Sequence, residues 1–276
     1  LFEQLEIPLV QRHPRTGEPV PGLADRWVED GRTIWFHINN KARYSNGQPV
    51  RGRDFALGAL LRAKCSNDSE WKMLVQAAKK IRFYGDSVIA VTLREPCPLA
   101  LYLASTVLHP AEPGFYAEFG NDYTTRYANR IPPTTGAYVV SKVETGRLIR
   151  LERVKDWWGE EVPQHRHTCN VDAIEHHFLA DEAQAWEMFL RGGLDAIQTR
   201  NMAAWQQKLE GVPAVEEGRI RQHDIYVDYP LPPYGIAINT EQIPEVHLRQ
   251  GILAALDMEK AIDILFRGEA KQLETF

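Results

Sequence analysis

Apolar and polar positions in this chain switch repeatedly between a period of two and a period near 3.6. Residues 33–38, 87–93, 137–143, 148–153 and 173–178 are β-rich runs bounded by turn residues and read as strands. Residues 195–198, 222–228 and 234–239 predict three further short strands. Helical spacing covers 54–63, where Phe55, Leu57, Leu60 and Leu61 are the apolar positions, and also 98–106. It returns at 181–191, with Ala185, Trp186, Phe189 and Leu190 inward, then at 203–209, 245–256 and 258–266. Residues 71–81 suggest a less regular helix or loop, and 117–131 predict no definite element. Ser45-Asn46-Gly47-Gln48 reads as a tight turn, Gly192-Gly193 and Gly268 as helix stops, and Asp257 as an N-cap. Strands, helices and hairpins mixed in this way indicate an α/β (mixed α+β) sheet architecture.

The most distinctive stretch is Pro132-Pro133-Thr134-Thr135-Gly136-Ala137-Tyr138-Val139-Val140, followed by Leu151 to Gly159 with its Trp157-Trp158-Gly159 turn. The block contains neither a nucleophile with a base nor a metal-ligand set. It points to a binding scaffold and away from catalysis, so no catalytic residue is assigned.

Composition narrows this reading. At 276 residues the chain can bury a substantial core. Its net charge of −5 argues against a nucleic-acid surface. No apolar run is long enough to span a bilayer, and no basic and apolar leader precedes Leu1, so a signal peptide is expected to lie outside this sequence. Cys65, Cys97 and Cys169 are too few for a disulfide framework and read as small buried hydrophobes.

The sharpest enzyme-like feature is His165-Arg166-His167-Thr168-Cys169, where strand alternation would turn His165, His167 and Cys169 to one face as zinc ligands. The plainer reading is a polar loop after the Trp-Trp-Gly turn, and no metal or cofactor is expected. Trp27, Trp35, Trp157 and Trp158 read as packing residues. Tyr226, Tyr229 and Tyr234 bracket Pro230, Pro232 and Pro233 and offer apolar area with a hydroxyl, suited to gripping an extended ligand. Arg200-Asn201 follows a predicted strand end and could read backbone groups of such a ligand.

Several motifs, in order, resemble solute-binding protein family 5, the binding proteins of bacterial dipeptide and oligopeptide ABC importers. They are Leu1-Phe2-Glu3-Gln4-Leu5, Pro21 to Trp27, Trp35 to Ile38, Tyr44 to Val50, the 132–140 block, the Trp-Trp-Gly turn, Arg191 to Asp195 and Ala237 to Thr240. The stretch Val162 to Arg166 is most similar to the oligopeptide and microcin-import subgroup. Tyr44 stands where the family has Trp, and Arg51-Gly52-Arg53 where it has a helix-capping Thr-Ala-Glu.

The resemblance implies a periplasmic-binding-protein-like type II fold. This chain would be a fragment holding most of the first lobe and the start of the second. Expected divisions are an N-terminal subdomain at 1–131, the core of the first lobe at 132–233, and the crossover into the second lobe at 234–276. It also implies a non-catalytic, periplasmic, monomeric receptor whose partners are a peptide or other small solute and an ABC permease in the membrane, with no nucleic acid. Arg200, Asn201, Tyr226, Tyr229 and Tyr234 are the implied ligand contacts. Two alternatives remain open: the effector-sensing domain of a transcription regulator on the same fold, or a non-peptide solute such as nickel, haem, a sugar or an opine.

Overall fold

The computed structural model describes residues 2–64, 68–119, 130–198, 208–223, 225, 228, 236–266 and 268. Two compact units run over Leu1–Phe178 and Leu179–Phe276.

In the first unit a short helix α1 (Phe2–Leu5) leads into the hairpin β1 (Val10–Arg12) and β2 (Pro19–Pro21). A four-stranded antiparallel sheet follows, in the order β3-β4-β6-β5. Its strands are β3 (Ala24–Asp30), β4 (Thr33–Ile38), β5 (Ala78–Tyr84) and β6 (Val88–Leu93). Period-two alternation buries Ile34, Phe36 and Ile38 of β4 on the same face as Ile89, Val91 and Leu93 of β6. The opposite face carries Trp35, which packs beside Tyr84 with centroids 5.7 Å apart.

Helices α2 (Gly52–Ala63), α3 (Ser69–Ala77), α4 (Ala100–Val107) and α5 (Pro113–Phe119) complete this half of the unit. Despite the unusual Arg51-Gly52-Arg53 start, α2 is capped. The Asp54 carboxylate accepts the Arg51 N–H at 2.8 Å, and Gly52 donates to the Asp86 carbonyl at 2.8 Å. Gly58 lets α2 approach residue 109, because a Cβ there would lie 3.1 Å from the His109 carbonyl carbon and nearer still to its oxygen. Helix α3 has Asp68 as N-cap and runs directly into β5, so the 71–81 segment is part helix and part strand.

The second sheet, β7-β8-β9, comprises β7 (Tyr138–Glu144), β8 (Leu148–Arg153) and β9 (Ala173–His177). One face carries Val140, Leu151 and Ile174 to the core; the other is a lattice of ion pairs around Arg150, Glu152 and Glu175. One apolar cluster contains residues from both sheets, including Phe36, Phe55, Tyr138 and Leu151.

The second unit is helical where it is described: α6 (Glu182–Leu190), α7 (Pro213–Glu216), α8 (Val246–Ala254) and α9 (Met258–Phe266). Asp181 caps α6 by accepting from Gln184 N–H at 2.8 Å, and Gly192, at φ 75°, ends the turn beyond it. The strand expected at 195–198 is irregular, and the described residues of 222–228 and 236–239 form no strand. None of these residues pairs with another strand, and a single strand cannot satisfy its backbone groups alone. Of the 203–209 helix, Lys208 and Leu209 are helical, and 203–207 lie outside the described residues.

Candidate functional site

The 132–140 block is where distant parts of the first unit meet. Thr135 is its centre and is 1% exposed. Its hydroxyl accepts the Ile7 N–H at 3.0 Å and donates to the Glu6 carboxylate at 2.8 Å. Its carbonyl oxygen receives the indole N–H of Trp157 and that of Trp158, each at 2.9 Å. One residue thus binds the N-terminal segment on its side chain and the Trp-Trp-Gly turn on its backbone.

The glycines of both motifs are explained by close approach. Gly136 donates to the Leu5 carbonyl at 2.8 Å, and a Cβ at 136 would stand 2.6 Å from the Leu5 carbonyl carbon. Gly159 lies under the Trp157 ring, where a Cβ would meet Cε2 at 2.6 Å. The tyrosine of the block, Tyr138, is fully buried and donates its hydroxyl to the Val171 carbonyl at 3.0 Å. Thr134 ties in the 44–50 motif: Ser45 donates to the Thr134 carbonyl at 2.7 Å, and Thr134 N–H donates to Ser45 Oγ at 3.2 Å.

Beside this junction, Tyr44, Gln48, Arg51, Asp54, Glu112 and Pro113 line a concavity of about 160 Å³. Tyr44 donates to the Asp54 carboxylate at 3.2 Å, and Glu112 accepts from the backbone of Gly114 and Phe115 at the start of α5. Burial raises the Tyr44 phenol, and the Asp54 charge raises it further. Burial also lifts the Asp54 carboxyl above its ordinary value. Glu6 is pushed up to about 7 by burial, against the lowering effect of its hydrogen bonds from Thr135. A phenol and carboxylates held this way form a polar wall set into an apolar unit. Glu6 escaped the sequence reading because its partner is far along the chain and leaves no local signal.

The His165/His167/Cys169 face does not form. His165 ends a short 3₁₀ turn at Pro163–His165, and His167 and Cys169 take left-handed backbone at φ 62° and 55°. Strand alternation therefore never applies to them. His165 instead packs edge-on against Trp157 at 5.2 Å, and burial lowers its basicity. Among the described residues no cluster of three or more His, Cys, Asp or Glu side chains is arranged to hold a metal ion. Cys97 and Cys169 are free thiols packed against the core; Cys65 lies outside the described residues. The expected ligand contacts Arg200, Asn201, Tyr226, Tyr229 and Tyr234 all lie outside the described residues.

The 132–140 block and the Trp-Trp-Gly turn joined at Thr135 are among the motifs that carried the resemblance, and comparison with known proteins extends it. The profile of the bacterial extracellular solute-binding proteins, family 5 (middle region), matches residues 18–276. The chain belongs to this family. A binding protein of Brucella melitensis is 28% identical over 92% of this chain and 41% of its own length. The periplasmic oligopeptide-binding protein OppA of Salmonella typhimurium is 25% identical over 94% of this chain and 48% of its own. The chain thus spans less than half the length of these relatives.

Among solved structures, the substrate-binding domain of an oligopeptide ABC transporter from Bacillus anthracis superposes with a TM-score of 0.62 at 18% identity, covering 76% of this chain and 42% of that one. The fold is therefore mixed α/β of the periplasmic-binding-protein type II class. Within this family 5 chain the Thr135 junction ties the 132–140 block to the Trp-Trp-Gly turn and to residues 6 and 7.

Proposed function

We propose that this chain forms most of the first lobe, and the opening of the second, of an extracytoplasmic receptor that binds peptides for an ABC importer. The observation that carries the reading is the alignment with an oligopeptide-binding protein over 94% of this chain, within the family whose profile spans residues 18–276. The receptor works without covalent chemistry. Two lobes close on the solute, and the solute favours the closed state by its greater affinity for it. Arg200, Asn201, Tyr226, Tyr229 and Tyr234 read the ligand: the tyrosines supply apolar area and hydroxyls, Arg200 and Asn201 meet its backbone groups.

The test is thermal melting of the full-length protein with and without a mixed oligopeptide pool. A ligand that binds only the native state raises the melting temperature by mass action. An upward shift that is lost in Tyr229→Ala and Arg200→Ala supports the reading. No shift with the fold intact by circular dichroism, together with a shift for an opine, a sugar or a nickel chelate, overturns it.

A further inference from the structure

One face of the sheet β3-β4-β6-β5 is buried; the other presents an apolar centre. Cross-strand register places Val28 beside Trp35, and Trp35 beside Ala90. Val28 and Tyr84 are 51% and 41% exposed, and the Trp35 and Tyr84 rings lie 31° apart in tilt. Around this centre stand Arg26, Lys80 and Arg82, all exposed, against the Asp30 carboxylate at the far end of β3. Arg82 donates to the Tyr84 hydroxyl at 3.2 Å, and Arg26 lies 3.4 Å from His37 Nδ1. Among the described residues, none of these three cations has a carboxylate at ion-pair distance, although the chain as a whole carries −5.

The other sheet provides the comparison. Its polar face neutralises its own cations: Lys142 with Glu144 at 2.5 Å, Arg147 with Glu144 at 2.9 Å, and Arg150 with Glu175 at 2.6 Å and Glu152 at 3.2 Å. An antiparallel sheet facing water usually shows such a polar face. The first sheet combines exposed aromatic area with uncompensated positive charge, which is the chemistry of a protein interface: Trp, Tyr and Arg are enriched there and dominate binding energy.

We propose that this face docks an acidic protein partner, with Val28, Trp35 and Tyr84 as the apolar centre and Arg26, Lys80 and Arg82 meeting carboxylates at the rim. Strands six or seven residues long in a four-stranded sheet give a face of roughly 400 Å², about half of what a stable complex buries per partner. The association is therefore transient, and its encounter rate falls with salt.

The test uses fluorescence anisotropy with a labelled random glutamate–tyrosine copolymer, which offers both carboxylates and rings. The full chain is expected to bind it more tightly than poly-L-glutamate and to ignore a lysine–tyrosine copolymer. Arg26→Glu with Arg82→Glu should weaken binding by about tenfold or more. Val28→Ser with Tyr84→Ser should reduce it to the poly-L-glutamate level, and Arg147→Glu, an exposed position beside the other sheet, should leave it unchanged, which ties the binding to this face. These are surface positions, so the variants fold. The proposal is overturned if the charge reversals bind as the parent does, or if the lysine copolymer binds equally. It is also overturned if only phosphatidylglycerol vesicles bind in an Arg82-dependent way, or if sedimentation shows a dimer dissolved by the same substitutions.

Discussion

Trp157 and Trp158 are neighbours in sequence whose indole N–H groups converge on a single acceptor, the Thr135 carbonyl oxygen, at 2.9 Å each. Their rings meet edge to face at 6.0 Å, an arrangement favoured by the aromatic quadrupole. A carbonyl has two lone pairs, and here both are used inside the protein. Either tryptophan alone still leaves the oxygen one donor. Trp157→Phe and Trp158→Phe are expected to cost about 1 kcal/mol each, and the double substitution to exceed their sum by about 1 kcal/mol. A double-mutant cycle in urea checks this; strict additivity would mean the oxygen is solvated when one donor is lost.

Gly136→Ala should destabilise the first unit by about 3 kcal/mol, because the added methyl meets the Leu5 backbone and backbone cannot rotate away. Gly146→Ala is the control for glycine loss at a turn with open space around it, where only its φ of 71° is strained. The denaturation midpoints of the two variants, compared directly, separate collision from conformational strain.

Thr135→Val keeps the shape and the carbonyl but strands the Ile7 N–H. The expected loss is about 1–3 kcal/mol, largely restored in Thr135→Ser. Amide exchange at Ile7 should rise in the valine variant and not in the serine one. Equal protection in both would remove the hydroxyl from the account.

The Glu6 carboxyl titrates in the folded state near 7, above its ordinary 4.5. A raised folded value means that protonation favours the fold. This contribution is complete below about 4.5 and lost as pH climbs through about 7. Glu6→Gln should therefore match the parent at pH 4.5 and melt higher than it at pH 8. Parallel melting curves across that range would show that Glu6 does not titrate there.

Burial acts in the opposite sense on His109, whose imidazole is lowered from 6.5 to about 4. A depressed folded value gives stability that is full above 6.5 and drains away as pH falls towards 4. His109→Gln should flatten the acid limb of the stability profile between those limits, read from urea midpoints at successive pH values. An unchanged acid limb would assign that loss to other groups.

Legibility from sequence followed how local each signal is. Residues 148–153 and 258–266 are read with the bounds the structure gives them, because alternation and amphipathic spacing coincide with clear turn residues. Strand β5 was hidden because α3 passes into it at Ala77 and Ala78 without a breaking residue. Strand β3 was hidden because Asp25, Arg26, Glu29 and Asp30 face water on an edge and blur the alternation. The described residues of 195–198, 222–228 and 236–239 have no strand partner, since a strand is a property of a pair and β-forming residues alone do not supply one. Gly136 and Gly159 were legible as motif members, but the neighbours that require glycine there depend on the folded unit.

Thr135 also bears on the order in which the molecule can assemble. Ile7 waits for a partner 128 residues further on, and Gln4 for His176, 172 residues away. At roughly 5–20 residues per second of synthesis, Gln4 and Ile7 emerge many seconds before these partners do. Closure of such long loops is slow. Residues 4–7 are thus among the last parts of the first unit to be secured, and a chain truncated before residue 135 should leave them open to proteases.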